Sequence, residues 1–268
     1  MSINNIGSNY VNAAATQSLN STQSSLASGQ RINSAADDAA GLQIANRLTS
    51  QIDGNGQAIA NSISGISVTQ IAQGGLESIT NDLSSLRELA VQAGNGIYSD
   101  SDRQALQQQA NALIENIQNT IGSTTFAGQE LLSDTSTLEF QVGAEAENTI
   151  GIPTSDLNSI FSSDGLFSFD VTDPSALNTA IEAVDSSIES IDSLQADYGA
   201  TQNAFSSRID ALLENQVNES AARSRIEDAD FAATISQQVV ADILERSSVS
   251  VQAQANVEAG RALNLLSS

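Results

Sequence analysis

The sequence contains no cysteine, histidine, tryptophan or lysine, and its nine basic residues are all arginine. Each absence removes a kind of chemistry. Without Cys or His there is no thiolate nucleophile, no imidazole base, and no nitrogen or sulfur ligand for zinc or iron. Without Lys there is neither Schiff-base catalysis nor a phosphate-binding P-loop. No cofactor, metal or catalytic residue is expected. The close carboxylates Asp37-Asp38 and Asp228 with Asp230 have the spacing of an acid/base dyad, but helix caps and solvated charge account for them. Lack of Cys fits a cytosolic protein, or a secreted one that does without disulfides.

Cations are scarce as a class. Nine basic against 32 acidic side chains leave a net charge of −23. Binding nucleic acid requires clustered cations to neutralise phosphates, and anionic membrane surfaces require the same; neither partner is expected. The first residues, M-S-I-N-N-I-G-S-N-Y, have no basic segment followed by an apolar run, so no cleaved Sec signal peptide is expected. No window approaches the unbroken apolar length of a membrane span.

Only two prolines occur, Pro153 and Pro174, and long helical periods lie on either side of them. The first strong seam is Ala72, Leu76, Ile79, Leu83, Leu86, Ala90 and Ala93, alternating four and three, as in a coiled coil. Ile52, Ile59, Ile63 and Ile66 continue it upstream less regularly. Leu177, Val184, Ile191, Tyr198, Phe205 and Leu212 fall seven apart in a second. Leu106, Ala110, Leu113, Ile117 and Ile121 form a third, opened by a capping box at Ser101 to Gln104. Three such stripes bury one another in an elongated helical bundle. Leu138, Phe140 and Val142 alternate with polar residues, as do Asn148 to Ile152, so residues 138–152 read as a β-hairpin lying on the bundle. Residues 153–174 read as a short surface loop.

The two ends are helical with a different balance. Ile3, Ile6, Tyr10, Ala14 and Leu26 make a weak apolar stripe. Phe231, Ile235, Val239 and Ile243 make a strong one, followed by Val240, Leu244 and Val251 and by a tail that includes Leu263 and Leu266. The C-terminal helix carries more apolar surface than the N-terminal one covers, and the surplus favours burial against other molecules. Both stripes are therefore expected to be polymerising surfaces. The fold class is mainly α: a coiled-coil-like bundle with a hairpin, plus paired terminal helices. The expected division is residues 1–40, 41–219 and 220–268. Between terminal helix and bundle lie two charged joins, with Arg31, Asp37, Asp38 and Arg47 in one and Arg223, Arg225 and Asp228 in the other. Asn33, Ser34, Asp37 and Asp38 supply capping groups where the second helix starts.

The run S-S-L-A-S-G-Q-R-I-N-S-A-A-D-D-A-A-G-L-Q-I-A-N-R-L-T-S-Q-I at residues 24–52 resembles the N-terminal join of bacterial flagellins. L-R-E-L-A-V-Q-A at 86–93, T-T-F-A-G-Q-E-L-L at 124–132 and S-R-I-E-D-A-D-F-A at 224–232 resemble the same family, and the likeness covers about residues 1–150 and 175–268. It implies a structural subunit that polymerises into the flagellar filament for motility. The filament would be extracellular, and export would proceed without a cleaved signal. The implied partners are identical subunits, a secretion chaperone, and the cap and hook-associated proteins. A hook–filament junction adaptor of the same superfamily is the alternative. The family's outer variable domains are missing here, with only about residues 153–174 in their place. Resemblance also marks Ser85, Arg87, Leu89 and Gln109 as the region that an animal innate receptor reads. Recognised relatives carry Arg and Glu where this chain has Ser85 and Gln109, and a hydroxyl does not reproduce a guanidinium's bidentate contact.

Overall fold

The computed structural model describes the backbone of residues 3–266 and the side chains of residues 13–258, 260 and 261. Six α-helices occur among them: α1 (Ile3–Ser28), α2 (Ala35–Ala93), α3 (Asp100–Ser123), α4 (Leu157–Asp164), α5 (Leu177–Glu227) and α6 (Phe231–Leu266). Four short strands lie between α3 and α4: β1 (Thr125–Phe126), β2 (Gln129–Glu130), β3 (Thr137–Gln141) and β4 (Thr149–Pro153). Two compact units result. One is Asp53–Gln216; the other joins the chain's two ends, up to Ile52 and from Val217 onward.

The Asp53–Gln216 unit is built on the three seams. Ala72, Leu76, Ile79, Leu83, Leu86, Ala90 and Ala93 of α2 are all fully or almost fully buried. Val184, Ile191, Tyr198, Phe205 and Leu212 of α5, with Leu106, Ala110, Ile117 and Ile121 of α3, are buried as well. Each large side chain removed from water contributes about 1.5–3 kcal/mol, and this stripe-on-stripe burial holds the unit together.

The upstream seam differs from the expected one. Ile63 is exposed, and Ile59 and Ile66 are only half-buried. The buried face runs instead through Asn55, Ala58, Ser62, Gly65, Val68 and Thr69. The cause is the bulk on the opposing side. A Cβ on Gly65 would sit 2.5 Å from the Phe205 ring, and Phe205 packs edge-on to Phe140 of β3 with ring centroids 5.8 Å apart. Small residues on α2 make room for these aromatics. Ser62 satisfies its buried hydroxyl by donating to Ala58 O at 2.8 Å, as a buried polar group must.

The capping box of α3 also lies two residues earlier than expected, at Ser99 and Asp102. Ser99 N donates to Asp102 Oδ2 at 3.0 Å, and Asp102 N donates to Ser99 Oγ at 3.3 Å. Ser101 already lies inside the helix, past the N-cap position from which a side chain bonds back to the first turn.

β3 and β4 pair antiparallel, from Thr137 opposite Pro153 to Gln141 opposite Thr149. Arg208 of α5 anchors the loop between them, its Nε donating to Val142 O at 2.6 Å. β1 and β2 form a second, tighter hairpin. Its turn residues, Ala127 (φ 50°) and Gly128 (φ 83°), both take positive φ, the geometry whose twist matches the flanking strands.

Residues 153–174 are not a plain surface loop. Asp156 caps α4 by accepting Ser159 N at 3.1 Å, and Leu157 and Phe161 stand on its buried face. Gly165, at φ 86°, ends the helix. A 3₁₀ turn (Leu166–Ser168) follows, and Leu166, Phe169 and Val171 join the core. Gln107 of α3 holds this return like a piece of strand: its Nε2 donates to Phe169 O at 2.9 Å and its Oε1 accepts Val171 N at 2.8 Å.

Candidate functional site

In the unit made by the chain ends, α1 and α6 run side by side and antiparallel. Between them the buried residues are small: Ala15 and Thr22 on α1, Thr234 and Ala241 on α6. Both pairs are spaced by seven, so the helices meet along a narrow seam that large side chains would hold apart. Ala14, Ala15 and Ser18 share an apolar groove of about 560 Å³ with Val240, Ala241 and Leu244.

The large apolar residues of α6, Val240 and Leu244 of that groove included, stay largely uncovered. Phe231, Ile235, Val239, Val240, Ile243, Leu244, Val249, Val251 and Val257 are between 49% and 65% exposed. Leu26 of α1 is half-buried. Ile3, Ile6, Tyr10, Leu263 and Leu266 lie outside the described side chains, although their backbone is helical. Scanning for large residues missed the Ala15/Thr22/Thr234/Ala241 seam. The heptad spacing of small residues was the signal that marked it.

The joins are tied by backbone. Arg31 N donates to Glu227 O at 2.6 Å and Ala229 N to Gly29 O at 2.9 Å, bracketing a single antiparallel bridge between Gln30 and Asp228. Gly29 ends α1 at φ 74°, a left-handed position that glycine takes without strain. Arg31 Nη2 reaches Ile226 O at 2.5 Å, and Arg223 Nη1 reaches Thr49 Oγ1 at 3.3 Å. Asp228 accepts from the Ser224 hydroxyl, while Arg47 and Arg225 are exposed. Among the described residues none of these arginines forms an ion pair within the chain.

Asp37 and Asp38 do the capping. Asp37 Oδ2 accepts Asn33 N at 3.0 Å, Ser34 N at 2.8 Å and Ser34 Oγ at 3.0 Å. These donors, the Asn33 amide foremost, hold its carboxyl below the usual carboxylate value. Asp38 breaks the helix locally (φ −161°, ψ 97°) and caps the long run that follows by accepting Gly41 N at 2.9 Å. A Cβ on Gly41 would meet Asp38 Oδ2 at 2.6 Å and the buried Ile32 side chain at 2.7 Å, so a larger residue there would have to displace the capping carboxylate.

Ser85, Leu89 and Gln109 are brought together. With Glu88, Gln92, Ala112 and Leu113 they line an open groove of about 470 Å³ between α2 and α3. Arg87 is not part of it; its Nε pairs with Asp185 of α5 at 2.7 Å. No described helix is long and apolar enough to cross a membrane. Nor do the described residues gather three or more Asp or Glu into a metal-binding group.

Residues 3–137 match the family described as the bacterial flagellin N-terminal helical region, and residues 181–266 match its C-terminal helical region. The chain belongs to the bacterial flagellin family. It is 37% identical over 244 residues to a flagellin of Halalkalibacterium halodurans, covering 90% of this chain and 89% of that protein. It is 35% identical over 256 residues to the flagellar filament 30.7 kDa core protein of Treponema maltophilum, covering 90% of each. In fold it is similar to the crystal structure of Bacillus cereus flagellin (TM-score 0.52, 24% identity, 57% of this chain and 88% of that one). It also shares its fold with a protein described as a flagellar hook-associated protein from Vibrio parahaemolyticus (TM-score 0.60, 13% identity, 72% and 100%). Both flagellin regions therefore fall on helices already described: the first spans α1 to α3, and the second covers most of α5 with α6.

Proposed function

We propose that this chain is a structural, non-enzymatic subunit that polymerises into the extracellular flagellar filament. The observation that carries the reading is the exposed face of α6. Phe231, Ile235, Val239 and Ile243 are about half exposed on a helix whose buried residues facing α1, among the described ones, are small. An apolar strip of that length is costly on a free chain, and identical copies stacked around an axis bury it on every subunit. The backbone of α1 and α6 is helical through Ile3, Ile6, Tyr10, Leu263 and Leu266, so these residues are assigned to this surface with Leu26. In the packed state some of Arg31, Arg47, Arg223 and Arg225 pair with carboxylates among Asp37, Asp38, Glu227, Asp228 and Asp230 of neighbouring copies. The net charge of −23 opposes stacking, which gives such pairs a purpose.

A secretion chaperone covers α6 before export, and cap and hook-associated proteins contact the growing polymer. The Ser85, Leu89 and Gln109 groove presents a hydroxyl and an amide where receptor-recognised relatives carry a charged pair, which puts innate-receptor activation through it in doubt.

The test is electron microscopy of purified full chain after seeding or sulfate addition, beside a variant lacking residues 1–28 and 230–268. Long filaments from the full chain alone support the reading. A single subunit ring at hook tips, with no long polymer, replaces it with the junction adaptor.

A further inference from the structure

We propose that Asn95 is a site of spontaneous backbone-assisted modification: the Gly96 amide nitrogen attacks the Asn95 side chain and converts it to aspartate or isoaspartate. The sequence has two Asn-Gly pairs, Asn55-Gly56 and Asn95-Gly96. This dipeptide is susceptible because no Cβ on the second residue shields its nitrogen. The reaction also needs that nitrogen unbonded and free to swing toward the Asn Cγ, and here the two sites part company.

Asn55 is buried and lies well inside α2. There the following amide is committed to the helical hydrogen-bond ladder and points away from its side chain. Asn95 and Gly96 lie beyond the last residue of α2, Ala93, and before α3 begins at Asp100; both are exposed. A Cβ built on Gly96 meets nothing within 4 Å, so the approach is open. In this turn Asn95 N donates to Gln92 O at 3.1 Å and Tyr98 N donates to Asn95 O at 3.2 Å. The intervening Gly96 N–H donates to no acceptor among the described residues. Ile97 N donates to Asn95 Oδ1 at 3.2 Å. That bond polarises the side-chain carbonyl under attack and stabilises the negative charge that develops on its oxygen.

The steps balance without a co-reactant other than water. A bond forms between Gly96 N and Asn95 Cγ, and the Cγ–Nδ2 bond breaks. The proton lost by Gly96 N leaves with Nδ2 as ammonia. Water then opens the cyclic imide at either carbonyl. One opening leaves aspartate; the other leaves isoaspartate, which routes the backbone through the side-chain carbon and lengthens it by one atom. Either product adds a carboxylate just past the C-terminal end of α2, where the helix dipole disfavours it.

The experiment ages the purified full chain at physiological temperature and at neutral and mildly alkaline pH, then maps it with trypsin. In a chain without lysine, trypsin cuts only after arginine, so Asn55 falls in the peptide 48–87 and Asn95 in 88–103. Mass gain and isoaspartyl methyltransferase labelling should accumulate in 88–103 and accelerate with pH. Conversion there should be at least about tenfold faster than at Asn55, because the helical site must first open locally. Gly96→Ala should slow it while leaving the helical circular dichroism unchanged. Equal or faster conversion at Asn55 would overturn the proposal. So would an unchanged 88–103 peptide over a period in which the urea-unfolded chain converts at both sites.

Discussion

The Asp53–Gln216 unit and the pair of terminal helices are both helical seams with a seven-residue repeat, but they use the repeat in opposite ways. In the first, the repeat positions hold Leu, Ile, Tyr and Phe, facing inward with almost no exposure. In the second, the inward positions hold Ala15, Thr22, Thr234 and Ala241, and the large residues face out. A helix that turns its bulk inward is stabilised by its own chain. One that turns its bulk outward has left that stabilisation to whatever covers it.

The sharpest way to break the contrast is inside the first unit. Phe205→Ala should cost about 3–5 kcal/mol in chemical denaturation of the full chain. Gly65→Ala should cost about 1–3 kcal/mol by overpacking, and much of that cost should vanish when combined with Phe205→Ala, because the clash partner is gone. Additive losses in that double mutant would show that Gly65 and Phe205 do not share a packing site.

Next in size is a gain. The Tyr198 hydroxyl is buried with no hydrogen-bond partner among the described residues, and burial pushes its pKa up to about 12. Tyr198→Phe should raise stability by about 1 kcal/mol by removing a desolvated group. A loss would mean that the hydroxyl finds a partner in solution.

Acid should act on the join by a smaller, local effect. The Asp37 carboxyl is held below its ordinary 3.8 by the Asn33 and Ser34 donors. Its contribution is therefore fully present above 3.8 and fades as pH falls through the lowered folded value. A nuclear magnetic resonance titration should show the Asn33 and Ser34 amides shifting together with Asp37 at that lower pH. In Asp37→Asn the shared step should disappear.

The smallest effect on the free chain belongs to the second unit. Val239→Ser with Ile243→Ser should change monomer stability by no more than about 0.5 kcal/mol, as exposed sites do. The same double substitution should abolish filament growth by sedimentation. Normal growth would remove these two residues from the interface.

The seams with large residues were legible because their spacing and their burial coincide, as at Leu76, Leu83, Ile191 and Tyr198. Upstream of Ala72 the two separate. Ile63 carries the hydrophobic signal but faces water, while Gly65 and Ser62 carry the buried face because Phe205 fills the space. Bulk on one helix dictates smallness on another, and a single-helix pattern does not show it. The two-turn α4 escaped for another reason: Leu157 and Phe161 are too few to make a period among Ser and Asp. For the terminal pair, the apolar rail of Phe231 to Ile243 was readable from spacing. Its covered side was not, since Ala and Thr carry little hydrophobic contrast. The groove uniting Ser85, Leu89 and Gln109 was reachable only through resemblance, since nothing in their spacing joins two helices.

Gln107 deserves a last look as a mimic of the main chain. Its carboxamide offers the donor and acceptor that a peptide unit offers and sets them on Phe169 O and Val171 N, while its second N–H donates to Asn111 Oδ1. The return segment is thus edged by a strand one side chain long, beside the burial of Leu166, Phe169 and Val171 in the core. Glutamate at that position would keep the shape and still accept Val171 N, but would set a carboxylate oxygen against Phe169 O and loosen that half of the edge.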